Sequence, residues 1–244
     1  MNRLDDILGY KNLKIYQNPL FFSFSLDSII LANYCDIRLR DKKIVDFCSG
    51  NGVVSIIVSK RCNSSITAVE IQDKLYELAV ESIKYNNLED RINPVCMDIK
   101  DFAKKSENNS QFDFVLCNPP YFKNDKDSTK NLSYEKMIAR HEILLDLDSL
   151  LKASNLVLKD NGRLCIVHRT DRLMDILSSF KKFNIEPKRI KFIHERVDKE
   201  STLVLIEGQK CGKVGLKIDN PLILYDLNNK ETEEYMKLQL EVRE

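Results

Sequence analysis

The stretch KIVDFCSGNGVVSIIVSKR, residues 43–61, passes from one kind of pattern to another within a short span. KIVDF is a brief apolar run of the sort that forms a buried strand, whereas NGVVSIIVSKR carries apolar residues at helical spacing. Between them, CSGNG sets Gly50 and Gly52 where the chain must turn from strand to helix. Glycine accepts positive φ and lets a ligand come close to the backbone. A short G-x-G of this kind either serves a ligand or only joins two elements.

Working outward, the same alternation repeats. SITAVEI, INPVCMD, FDFVLC and GRLCIVH read as strands; DKLYELAVESIKYNNL, capped by Asp73, LDLDSLLKASNLVLK and DRLMDILSSFKKF read as helices. Strands alternating with helices predict an α/β fold, a parallel sheet covered by helices on both faces. RIKFIHERV and STLVLIEGQK, parted by DKE, break the rhythm and are expected as an antiparallel hairpin closing the sheet edge. Beyond Gly208 the chain turns polar and irregular, and YDLNNKETEEYMKLQLE reads as a turn and a terminal helix. The expected organisation is one domain over residues 1–244, with an N-terminal segment (1–42), a core (43–208) and a C-terminal extension (209–244).

With 43% hydrophobic and 31% charged residues the composition is that of a folded chain, not a disordered one. No stretch approaches the roughly 20 apolar residues of a membrane span, and MNRLDDILGYKN lacks the apolar centre of a signal peptide, so a cytoplasmic protein with no membrane partner is expected. The seven cysteines are scattered without a C-x-x-C pair and are expected as reduced core thiols; no metal is expected. A net charge of +1 neither requires nor excludes nucleic acid. Locally, KKFNIEPKRIK (Lys181 to Lys191) and the mixed run from Phe122 to Glu142 are either solvated faces or phosphate contacts.

Ligands of open parallel sheets bind beyond the carboxyl ends of the strands. Asp46, Cys48, Ser49, Gly50 and Gly52 stand at the first of these ends. The second ends in Glu70, about 20 residues beyond the glycines, where a carboxylate can accept both hydroxyls of a ribose or can cap a helix. The third ends in Asp98, which suits an exocyclic adenine amine or the cap of a short helix around Phe102. Three such ends in order point to an adenosine-containing ligand. The fourth delivers Asn118, Pro119, Pro120 and Tyr121 to the same edge. The two prolines remove backbone donors and restrict φ, so carbonyls here are held as fixed acceptors. The Asn118 side-chain oxygen and the Pro119 carbonyl can take the two hydrogens of an exocyclic amine and localise its lone pair for attack, while Tyr121 stacks on the base. A turn alone would explain the prolines but not the asparagine and tyrosine beside them.

On these residues the sequence resembles the class I S-adenosylmethionine-dependent methyltransferases, and among them the amino-methyltransferases with N/D-P-P-Y/F. DFCSGNG is similar to their glycine-rich first motif, with Cys48 where a glycine often lies; AVEI, MDIKD and NPPY resemble the second, third and catalytic fourth motifs. QNPLFFSFSLDSIILANYC resembles the F-x-x-D-[ST] helix start of the bacterial tRNA1(Val) adenine-37 N6-methyltransferase family, as do ARHE and PLILYDLNNKETEEY in later segments. The resemblance implies a Rossmann-like sheet of seven strands, mostly parallel, with a C-terminal antiparallel hairpin. It implies S-adenosylmethionine as cofactor, S-adenosylhomocysteine as product, and N6-methylation of an adenine in tRNA, most specifically adenine 37 in the anticodon loop of a valine tRNA. No obligate protein partner follows from it.

By the same resemblance, Asn118, Pro119, Pro120 and Tyr121 are the catalytic residues. Phe24, Ser25, Asp27, Asp46, Cys48, Ser49, Gly50, Gly52, Glu70, Ile71, Asp98, Ile99 and Asn118 hold the cofactor, although Phe24, Ser25 and Asp27 also suit a capped helix start. From position alone, Lys123 directly after the catalytic turn can meet a phosphate, Arg140 and His141 either face the substrate or are a helix-surface arginine and a satisfied histidine, His168 and Arg169 end one strand at the same edge as candidate substrate contacts, and His194 is expected to be structural. The alternatives are glutamine methylation of translation release factors, whose enzymes carry a helical domain before the first motif, and non-catalytic RNA binding.

Overall fold

The computed structural model describes residues 2–21, 24–120 and 146–240. An antiparallel pair, β1 (Arg3–Ile7) and β2 (Tyr10–Gln17), precedes α1 (Leu26–Tyr34). The alternating core follows as β3 (Lys43–Phe47), α2 (Val53–Arg61), β4 (Ser65–Glu70), α3 (Asp73–Tyr85), β5 (Ile92–Cys96), α4 (Ile99–Lys104) and β6 (Phe112–Cys117). Next come α5 (Leu147–Val157), β7 (Leu158–Arg169), α6 (Leu173–Lys182), β8 (Ile185–Arg196) and β9 (Ser201–Lys210). The described chain closes with β10 (Lys217–Ile218), β11 (Leu222–Tyr225) and α7 (Glu233–Leu240).

The strands lie in the order β10-β8-β9-β7-β6-β3-β4-β5, with β11 also paired to β8. Among the described strands of this sheet only β9 runs against the others, because it pairs antiparallel with both β7 and β8. The expected seven strands are the β8-to-β5 portion. Among the described residues the sheet has nine, and the hairpin β8–β9 does not close its edge: β10 and β11 pair parallel with β8 outside it. Successive strand residues point to opposite faces, and here both faces are apolar. Phe114 and Leu116 join the layer built by the β1–β2 pair, α1, α2, α3 and α7, whereas Val115 and Cys117 join that of α4, α5 and α6.

Several boundaries differ from the sequence reading. Gln72, not Asp73, is the N-cap of α3; Asp73 is the first helical residue, where its charge still favours the helix dipole. Asp146 caps α5 by accepting from Ser149 N at 2.8 Å, and the helix stops at Val157 because LK already belongs to β7. The terminal helix docks: Tyr235 and Leu238 are buried, and Glu234 accepts from Tyr34 Oη at 2.9 Å and Lys191 Nζ at 3.0 Å. All seven cysteines are free; Cys35, Cys117 and Cys165 are buried, Cys48, Cys62 and Cys96 are half-buried, and Cys211 is exposed and not a core thiol.

The basic run at residues 181–191 begins at the amino edge of the sheet, the end opposite Asn118, and is occupied by local partners. Lys181 pairs with Glu186 at 2.5 Å, Lys182 with Asp148, and Lys191 is buried against Glu234 and the Tyr34 ring. Arg189 joins a buried network around Arg163. The Arg163 guanidinium meets Asp41 at 2.5 Å, Glu207 at 2.9 Å and Asp36 at 3.1 Å while lying 4.6 Å over the Phe114 ring. No helix of the described residues is long and apolar enough to cross a membrane.

Candidate active site at the carboxyl edge of the sheet

The turn after β3 is held by its neighbour strand. Ser49 N donates to Val69 O at 3.1 Å, and Gly50 N donates to Glu70 Oε2 at 2.8 Å. Gly50 and Gly52 take φ of 57° and 87°, the left-handed region that glycine enters without steric cost. A Cβ on Gly50 would meet nothing within 4 Å among the described residues, so the loop backbone there borders open space among them. Cys48 takes φ 58° although it has a side chain, a conformation costing about 1–2 kcal/mol. Asn51 Nδ2 donates to Tyr16 O at 3.2 Å, which ties the loop to β2.

Two carboxyls lie beneath this loop. Asp46, fully buried in β3, accepts from Ser55 Oγ at 2.8 Å through Oδ2, while its Oδ1 has no partner among the described residues. Burial pushes the carboxyl up to about 7, and the charge of Glu70 adds to the shift. Glu70 is also pushed up by burial, against the amides of Gln72 and Gly50 that favour its ionised form. Its two oxygens each accept one of these N–H groups, and the Ile71 N–H and the Gln72 side chain also favour the ionised form. Ser49 Oγ is buried and has no described partner either. Ile71 is an exposed apolar side chain at the rim of the same edge, while Ile99 is buried.

Asp98 takes the helix-cap reading: it accepts from Lys100 N at 2.8 Å and stands 3.3 Å from Lys100 Nζ. Ser25 is the N-cap of α1 without a side-chain cap bond, and Phe24 N donates to Gln17 Oε1 at 3.2 Å. Burial pushes the Asp27 carboxyl up, opposed by its own backbone N–H and the Ser25 hydroxyl. The start of α1 meets the end of β6 directly, since Asn118 Nδ2 donates to Ser28 Oγ at 2.9 Å. Asn118 Oδ1 is buried and has no hydrogen-bond partner among the described residues. Pro119 is buried and Pro120 exposed.

The structure thus gathers Phe24, Ser25, Asp27, Asp46, Cys48, Ser49, Gly50, Gly52, Glu70, Ile71, Asp98, Ile99 and Asn118 on elements that meet at one edge. Arg169 lies at the end of β7 and is bound to Asp171 at 2.6 Å. Beside it, burial and the Arg172 charge push His168 down to about 4. His194 faces Lys199 O at 2.8 Å. Tyr121, Lys123, Arg140 and His141 lie outside the described residues. Ser28, Ser55 and Gln17 were not singled out by sequence; Ser28 occupies the [ST] position of FSLDS, which was the available signal.

A glycine turn over two buried carboxyls, followed along the sheet by an asparagine–proline turn, defines a methyltransferase of the α/β class. The chain belongs to the methyltransferase small domain family, whose model matches residues 15–194. It is similar to a tRNA1(Val) (adenine(37)-N6)-methyltransferase of Phocaeicola vulgatus, 27% identical over 198 residues that cover 81% of each chain. A Flavobacterium psychrophilum protein of the same name is 23% identical over 95% of this chain and 97% of its own. Among solved structures, a predicted O-methyltransferase from Agrobacterium tumefaciens shares the fold with a TM-score of 0.70 and 18% identity, over 87% of this chain and 95% of that one.

Proposed function

We propose that this protein methylates N6 of an adenine in tRNA, with adenine 37 in the anticodon loop of tRNA1(Val) as its target, in the cytoplasm. The observation that carries the chemistry is Asn118: a side-chain carbonyl held just past β6, buried, and lacking a partner among the described residues. Such an acceptor suits the N–H of an exocyclic amine. The choice of tRNA and of adenine 37 is supported by the names of the relatives. A loop base is also the cheapest to unstack, at a few kcal/mol.

The cofactor on this reading is S-adenosylmethionine. Its fit is supported by two buried polar atoms without described partners, Asp46 Oδ1 and Ser49 Oγ, and by the open space over Gly50. Glu70 would hold the ribose through its carboxylate, Ile71 and Ile99 would flank the adenine, and Asp98 would offer what acceptor capacity the helix cap leaves. Phe24, Ser25 and Asp27 would line the methionine end. When bound, the group supplies an electrophilic methyl carbon on a sulfonium. Asn118 Oδ1 and the Pro119 carbonyl orient the amine toward it, and no strong base is needed because the amine becomes acidic only on alkylation. Tyr121 stacks on the flipped base, and Lys123, Arg140, His141 and Arg169 contact the RNA; for the first four of these five the support is sequence alone.

The test is transfer of labelled methyl to tRNA from a strain lacking the modification, then nuclease digestion and mass mapping. N6-methyladenosine at position 37 of a valine tRNA is expected. Label on a release-factor glutamine, with none on RNA, would overturn the reading.

A further inference from the structure

We propose that Gln17 is a positioning residue for the methionine end of the cofactor: from the end of β2 it fixes the chain that enters α1. The inference rests on the reading of this edge as an S-adenosylmethionine site. β6, β3, β4 and β5 lie side by side in that order, so the glycine turn after β3 stands between Asn118 beyond β6 and Glu70 at the end of β4. With the ribose at Glu70, the sulfur points toward Asn118. The start of α1 is joined to Asn118 through Ser28 at 2.9 Å, and therefore lies on the sulfur side of the glycine turn. Phe24 is the last residue before the cap of that helix, and Gln17 Oε1 accepts its N–H at 3.2 Å.

Both ends of the Gln17 amide are assigned by partners that can play one part only. A backbone N–H donates, so Oε1 faces Phe24; the Asp5 carboxylate accepts, so Nε2 faces Asp5, at 2.6 Å. Turned by half, the amide would set donor against donor and acceptor against acceptor. Gln17 is 6% exposed, so water does not readily replace either partner. Its anchor is itself fixed, because β2 is docked to the core through its backbone. Lys14 N donates to Asn86 Oδ1 at 3.1 Å, and Lys14 O accepts from Asn86 Nδ2 at 2.7 Å. Tyr16 N donates to Ser82 Oγ at 2.9 Å, whose own hydrogen goes to Leu78 O at 2.7 Å. Tyr16 O accepts from Asn51 Nδ2 of the glycine turn at 3.2 Å. Two neighbouring residues of one strand end thus hold the glycine turn and the approach to α1, and the spacing between these two walls is set from β2. Gln17 acts through the Phe24 backbone and not by touching the cofactor.

A misplaced entry chain weakens only ligands that carry the amino-acid chain, whereas partial loss of the fold lowers every affinity by the same factor. Calorimetry therefore compares S-adenosylmethionine and S-adenosylhomocysteine with 5′-methylthioadenosine, which keeps the adenosine and the sulfur but lacks the amino-acid chain. The proteins are wild type, Gln17→Ala, Gln17→Glu and the pair Gln17→Glu with Asp5→Asn, with circular dichroism to verify the fold. In Gln17→Ala the first two ligands should bind about tenfold more weakly, and methylthioadenosine within about twofold of wild type. Gln17→Glu keeps an acceptor for Phe24 but sets a carboxylate against Asp5, and should show the same selective loss. Adding Asp5→Asn gives that carboxylate a donor, so the pair should recover most of the loss. Equal loss for all three ligands, loss for none, or no recovery in the pair would overturn the inference while the function stands. Failure of wild type to bind S-adenosylmethionine or S-adenosylhomocysteine would remove the reading of the site, and this inference with it.

Discussion

Asp46→Asn isolates the energetic cost of the buried carboxyl under the glycine turn. The aspartate is fully buried, with one oxygen bound by Ser55 and the other without a described partner, and its carboxyl moves from an ordinary 3.8 to about 7. The folded state therefore holds the proton more tightly than the unfolded chain. Below about pH 4 both states are protonated and the site costs nothing extra; as pH rises to about 7 the unfolded chain ionises first and stability falls, levelling off above that. At about 1.4 kcal/mol per unit, the whole change is of the order of 4 kcal/mol. Asparagine keeps an acceptor for Ser55 and does not ionise. It introduces a buried NH2 that costs about 1–3 kcal/mol at every pH, so the slope, not the offset, carries the test. Urea unfolding of both proteins from pH 4.5 to 8 measures it. The variant should gain on wild type by a few kcal/mol across that range. Glu70, also raised by burial, is present in both and largely cancels. A difference that does not change with pH would refute the assignment of a raised carboxyl to Asp46.

Three further outcomes follow from the same geometry. Asn118→Ala should leave the fold and most cofactor affinity intact and cut single-turnover methyl transfer by about two to three orders of magnitude; undiminished transfer would sink the acceptor role. Glu70→Ala leaves the N–H groups of Gly50 and Gln72 unpaired and should weaken S-adenosylmethionine binding about tenfold or more, read by calorimetry. Arg163→Ala strands the buried carboxylates of Asp41 and Glu207 and should cost about 3–5 kcal/mol in denaturant unfolding; a loss under 1 kcal/mol would mean the network is relieved by water.

What the sequence disclosed follows the reach of each signal. Apolar runs such as KIVDF and FDFVLC lie in a sheet covered on both faces, and the residues just past them had to reach one edge. β10 and β11 were missed for a physical reason. Lys217–Ile218 is shorter than any period can register, and both short strands owe their conformation to the pairing groups of β8. The charge at residues 181–191 left two readings open, because sequence gives the sign of a charge but not its direction or its partners. Asp98 allowed two readings in sequence; the bond from Lys100 N shows that it caps the helix, which leaves the adenine contact a proposal.

The N-terminal segment stands outside the alternation, yet it is hydrogen-bonded to both turns at this edge. Tyr16 O holds the Asn51 amide of the glycine turn, Gln17 Oε1 holds the Phe24 N–H, and Ser28 Oγ receives the Asn118 amide. A parallel sheet sets where its strands end but not how the turns beyond them are oriented, since those backbone groups have left the ladder. Orientation there must come from an element lying across the strand ends, and β2 and α1 supply it to both turns at once. The glycine turn and the asparagine turn are thereby referred to one framework. A displacement of α1 would disturb the Asn118 amide without breaking any hydrogen bond of the central sheet.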